Sequence, residues 1–141
     1  MAFGATFAEV RADLGFGTVR VPRIIGAYEA GRIVNPKLSA HRRDGGRHRH
    51  GAAEGGRVGP ALWSVTNANL AEHLVPVCAC VRESDAVFVP GEDTIMSPLG
   101  TRGAAELGLG GVAPAIANAV WHATGKRKQE LPITPDKLLT A

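Results

Sequence analysis

Cysteines, aromatic side chains and long apolar runs are all scarce in this chain, and each scarcity excludes something. The two cysteines, Cys78 and Cys80, sit two positions apart. On a strand they would face opposite ways, and that spacing does not suit an easy disulfide, so a reduced, intracellular setting is expected. No apolar stretch approaches the roughly 20 residues that a membrane-crossing helix needs. The opening "MAFGATFAEV" has neither the basic start nor the apolar core of a signal peptide. Aromatic residues make up 5%, while 18 residues are glycine and 45% are apolar. Such a balance describes a loop-rich globular piece with one modest core rather than a disordered chain. An excess of either charge is also missing, except in one place. The net charge is +3. Residues 41–57, "HRRDGGRHRHGAAEGGR", hold five arginines against Asp44 and Glu54, so the whole excess lies there and the remainder is neutral.

What is present reads as a small sheet followed by helices. Residues 3–12 alternate Phe3, Ala5, Phe7 and Glu9 with Val10 on the other side, which predicts a strand. "DLGFG" is turn chemistry, and 18–31 reads as a second strand rich in β-branched residues, giving an antiparallel hairpin with a loop of about four residues. Pro22 must then lie at an edge or a bulge. "LVPVCACV" (74–81) and "DAVFVP" (85–90) read as further strands, and 91–100 as a loop. From Gly110 to Thr124 the apolar residues Val112, Ala113, Ile116, Ala117, Val120 and Trp121 recur at helical spacing, with Pro114 in the first turn and Gly125 just past the end. Trp121 is expected in the core and His122 on the surface. "ITPDKLL" predicts a last short helix with Thr134 as its N-cap.

The chemistry concentrates in "GTRGAAELGLGG", residues 100–111, where one carboxylate, Glu106, stands among glycines directly before the helix. Taken alone, Glu106 is a carboxylate favoured by the helix dipole. Its functional alternative is a general base beside a ligand that the permissive backbone approaches closely.

The stretch "SPLGTRGAAELGLGGVAPAIANAVWHATGKRKQELPITPDKLL" resembles the C-terminal end of the molybdenum-binding subunit of the xanthine dehydrogenase / aldehyde oxidase family. "AFGATFAEVRADLGFGTVRVPRIIGAYEAGRIVNPK" and "NANLAEHLVPV" resemble earlier stretches of the same subunit. Together these cover residues 2–37 and 65–140, about four-fifths of the chain. The resemblance implies an oxidoreductase that hydroxylates an aromatic heterocycle or an aldehyde with oxygen from water. In that family the glutamate of a Gly-Lys-Gly-x-Gly-Glu motif is the general base on the Mo–OH group, and Glu106 stands at that glutamate. Arg102, Gly103, Ala104 and Ala105 then lie near the cofactor; Arg102 replaces the usual lysine and Ala105 the usual glycine. The implied cofactor is molybdenum–molybdopterin, as the cytosine dinucleotide, with 2Fe–2S and FAD groups on partner domains or subunits. No side-chain metal site is implied. The implied partners are the remainder of the large subunit, the iron–sulfur and FAD subunits and the small-molecule substrate, with no membrane. A cytoplasmic location is expected, or a periplasmic one if a signal lies on a missing part or on a partner. The expected fold is α/β: part of a molybdenum-cofactor-binding domain, a mixed or antiparallel sheet with a C-terminal helix packed on it. Residues 1–141 form one partial domain, and the isolated chain is expected to be inactive.

Residues 38–63 depart from the family and read as a basic, Gly/Arg/His-rich disordered segment. His41, His48 and His50 lack the paired cysteines and rigid spacing of a zinc site. The arginines allow a rival reading, a non-catalytic remnant or a small basic nucleic-acid-binding module, though no aromatics are interleaved for base stacking. Back-translated with G/C-rich codons and read one nucleotide later, Asp44–Trp63 yields "MVVGIGMA" and then a tail close to "VVWDPR", which resemble the family at this place. Resequencing the coding DNA is expected to find a frame shift near codon 40 that is restored near codon 64; clean, unshifted codons through the region would refute it.

Overall fold

The computed structural model of the chain describes residues 2–35, 58–59, 64–65, 69, 82–95, 97–103 and 107–139. Strand β1 spans Phe3–Asp13 and β2 spans Thr18–Glu29. They form an antiparallel hairpin whose register runs from Phe3↔Glu29 to Asp13↔Thr18. The four-residue loop, 14–17, is set by Asp13. Its Oδ1 accepts the backbone N–H groups of Gly15 (2.9 Å) and Phe16 (3.3 Å), so the carboxylate closes the turn.

Pro22 occupies a bulge, one of its two expected places. The register steps from Glu9↔Arg23 to Arg11↔Arg20, leaving Val21 and Pro22 against Val10 alone. A residue with no N–H is thereby taken out of the ladder, although β2 is the central strand. The bulge also shifts the phase of the strand. Val21 and Ile24 are three apart, yet both are core residues, where strict alternation would send them to opposite faces.

Strand β5, Glu83–Phe88, joins the other side of β2 in parallel, from Arg23↔Glu83 to Tyr28↔Phe88. The sheet is therefore mixed, in the order β1-β2-β5. A two-residue antiparallel ladder pairs β3, Val58–Gly59, with β4, Ser64–Val65. Of the anomalous 38–63 segment, Val58–Gly59 is the described part. The strand expected over 74–81, with both cysteines, lies outside the described residues.

The helix predicted over Gly110–Thr124 is present as α2, Val112–Thr124, and a short turn, α1, Leu107–Gly110, precedes it. Val112, Ile116 and Val120 recur every fourth residue and are buried. They pack against Val21 and Ile24 of the sheet, and against Ile133 and Leu138 from the last segment. Gly125 ends α2 in the left-handed region, and its N–H donates to the Trp121 carbonyl at 2.8 Å. Trp121 is not in the core. It lies one residue round the helix from the buried stripe, is 43% exposed, and carries the Arg127 guanidinium 4.2 Å from its ring centroid. His122 is exposed, as expected. Helix α3, Pro135–Leu139, follows Thr134, whose side chain hydrogen-bonds to Asp136 and holds that carboxyl below its ordinary range.

The two faces of the sheet differ. Thr6, Ala8 and Val10 of β1 turn towards α2, whereas Phe3 and Phe7 point away and are 60% and 64% exposed. Ladder partners share a face, so Ala5, Phe7, Ile25, Ala27 and Val87 make a second apolar surface opposite α2. Truncating Ile116 to alanine is expected to cost about 2–5 kcal/mol in urea unfolding, while Phe7→Ser changes stability by no more than about 0.5 kcal/mol.

Candidate functional site

At the end of β2 the chain leaves the sheet through Ala30, Gly31 and Arg32, and residues 100–102 return against this turn. The Gly100 carbonyl accepts the N–H of Arg32 at 2.7 Å and that of Asp93 at 3.3 Å, while the Arg102 N–H donates to the Ala30 carbonyl at 2.9 Å. An antiparallel bridge joins Gly31 to Thr101. Gly31 is required here. Its φ is +66°, and a Cβ would run into the Gly100 carbonyl.

Side chains tighten the same junction. Glu29, the last residue of β2, and Asp93, in the loop after β5, are 5% and 6% exposed. Arg102 lies between them, its Nη1 donating to Glu29 Oε2 at 2.6 Å and its Nε to Asp93 Oδ2 at 2.8 Å. The remaining oxygens are engaged too: Glu29 Oε1 accepts the Gly31 N–H and Asp93 Oδ1 the Ile95 N–H, both at 3.0 Å. Gly91 closes over Glu29, since a Cβ on it would strike the Glu29 carboxylate. The hydrogen bond to Asp93, and behind it the field of Glu29 working against burial, raises the Arg102 pKa above its ordinary value. Arg102 therefore stays charged at every pH a folded protein meets.

Of the residues singled out from sequence, Arg102 and Gly103 are described. Arg102 is the centre of the junction just built, and Gly103 follows it, exposed. Ala104, Ala105 and the proposed base Glu106 lie outside the described residues, bracketed by Gly103 on one side and by Leu107, the first residue of α1, on the other. Neither Glu29, inside the strand read over 18–31, nor Asp93, inside the loop read over 91–100, stands out in the sequence as a site residue. The visible signal was an acid closing an apolar strand directly before "AGR"; its partner lies 73 residues away, beyond any local pattern.

No family model matches the chain. Curated relatives do. The aldehyde oxidoreductase molybdenum-binding subunit PaoC of Escherichia coli K12 is 41% identical over 140 residues, which span 97% of this chain and 19% of PaoC. A xanthine dehydrogenase molybdenum-binding subunit of Escherichia coli O157:H7 is 31% identical over 147 residues, covering 97% of this chain and 18% of that subunit. Among solved structures, the CO dehydrogenase of Oligotropha carboxidovorans superposes with a TM-score of 0.83 at 20% identity, over 98% of this chain and 18% of its own, a likeness of fold. The mixed sheet with its packed helix is thus a piece of the molybdenum hydroxylase architecture. The chain belongs with the molybdenum-binding subunits of the aldehyde oxidoreductase / xanthine dehydrogenase family and spans about a fifth of the length of the relatives it matches.

Replacing Gly31 by alanine is expected to displace the Gly100 carbonyl and cost about 1–3 kcal/mol in denaturant unfolding; an unchanged midpoint would mean that the junction yields freely.

Proposed function

We propose that this chain is the base-bearing portion of a molybdenum hydroxylase large subunit that oxidises an aromatic heterocycle or an aldehyde, with Glu106 as general base. The net change is a carbon–hydrogen bond replaced by a carbon–oxygen bond, the oxygen coming from water, with two protons and two electrons released. When bound, a molybdenum–molybdopterin cofactor, as the cytosine dinucleotide, supplies the two-electron oxidation, and 2Fe–2S and FAD partners receive the electrons. The chain's own part is to accept a proton at the Glu106 carboxylate and to offer the main chain of residues 102–105 to the pterin. An anionic cofactor beside Glu106 would disfavour its ionised form and bring its basicity nearer neutrality.

The observation that supports this most is the anchoring of 100–102 immediately before Glu106. A base must be held within hydrogen-bond reach of the proton it takes, and three backbone bonds plus two ion pairs fix the chain four residues upstream. The residues also suit the cofactor. Gly103 is exposed directly after the anchored stretch, which leaves main chain open to a ligand. The apolar sheet face opposite α2, with Phe3, Phe7 and Val87 exposed, suits a chain covered by the rest of a larger subunit. No helix among the described residues is long and apolar enough to cross a membrane; a cytoplasmic location is part of the proposal.

Two measurements test this. In a chimera where this sequence replaces the matching fifth of PaoC, Glu106→Gln is expected to lower kcat by about 10²–10⁴-fold with molybdenum content unchanged; undiminished turnover would remove Glu106 from its role. Metal analysis of the purified 141-residue chain is expected to find no stoichiometric molybdenum, and finding it would show that the rest of the subunit is not needed to hold the cofactor.

A further inference from the structure

We propose that Arg102 is a positioning residue: its guanidinium grips Glu29 and Asp93 and thereby fixes the main chain leading into Glu106, and its charge is not directed at the pterin. The catalytic meaning of this clamp rests on Glu106 being the base, but the clamp itself does not.

The geometry is that of a fork. Separate nitrogens, Nη1 and Nε, meet carboxylates from two different segments at 2.6 and 2.8 Å. Each carboxylate is already oriented by a backbone N–H of its own turn, from Gly31 and from Ile95. The guanidinium therefore enters a socket whose two walls are set independently. Both walls are 7% exposed at the side chain and the cation is 22% exposed, so losing the cation would leave two mostly buried carboxylates uncompensated. The charges point the same way. Two carboxylates against one guanidinium leave the trio at −1, which gives a pterin phosphate no electrostatic reason to approach this side chain. The family's lysine at this position is a single donor point on a flexible stem and cannot present two nitrogens in a fixed plane. The change from lysine to arginine thus goes with a socket built for a planar fork.

Amide hydrogen exchange of the full chain, followed by NMR, tests the clamp without molybdenum. The reporters are the amides of residues 32 and 102, which donate to Gly100 and Ala30, read against those of Ile116 and Val120 in α2. In Arg102→Lys and in Glu29→Gln, protection at 32 and 102 is expected to fall about tenfold or more. In α2 it should change by less than about twofold, because the opening is local. The double variant should be no worse than Arg102→Lys alone, because that change already releases Glu29. If Glu29→Gln unfolds the chain, Asp93→Asn reads the same two amides from the other arm. Unchanged protection at 32 and 102 in Arg102→Lys would overturn the proposal. So would a loss spread evenly through α2, which would make Arg102 an ordinary stability residue. Should the exchange pattern hold while Glu106→Gln leaves the chimera fully active, the base assignment fails and the clamp stands.

Discussion

One guanidinium between two mostly buried carboxylates joins three separate segments of this chain, across as many as 73 residues. Glu29 ends the central strand, Asp93 sits in the loop after the parallel strand, and Arg102 opens the segment that leads to the helices. Each alone would be costly to bury. Together they close a junction outside the apolar core, which gathers around Val21, Ile24, Ile116 and Val120. The core holds the layers together, and the ion cluster sets where the glycine-rich segment begins.

That division of labour connects fold to function. A glycine-rich loop gains close approach to a ligand but loses definition, since glycine has the most conformational freedom to lose. Among the described residues, the flanks of this segment are well anchored. Upstream, the Gly31–Thr101 bridge and the Arg102 fork fix the entry. Downstream, α1 and α2 begin at Leu107 and Val112, and α2 is seated by three buried side chains.

Much of the fold was legible because it follows local rules. Alternation gave the hairpin, Asp13 and its neighbours gave the turn, and the proline in β2 required the irregularity that the register shows at Val21–Pro22. Periodicity, with Pro114 and Gly125, gave α2. What local rules could not supply was which face is covered. Both faces of β1 carry apolar residues, and the larger ones, Phe3 and Phe7, are those left exposed. Trp121 misled for the same reason: its hydrophobicity suggests burial, while its helical angle puts it beside the stripe, under Arg127. The candidate base was found through resemblance to a family motif, and the composition of its loop alone would have left it a helix-start carboxylate. The ion cluster is not legible as a cluster because its members are charged residues scattered through three segments, and no local pattern pairs Arg102 with Glu29 and Asp93.

In the function we propose, a pinned main chain delivers the Glu106 carboxyl to the cofactor. A structure of a complete, molybdenum-loaded subunit carrying this sequence measures that directly. The expected result is a Glu106 carboxylate oxygen within hydrogen-bond reach, about 2.6–3.2 Å, of an atom bound to the metal, with the Arg102 guanidinium still on Glu29 and Asp93. A Glu106 side chain turned into bulk water, on the face away from the pterin, would contradict it.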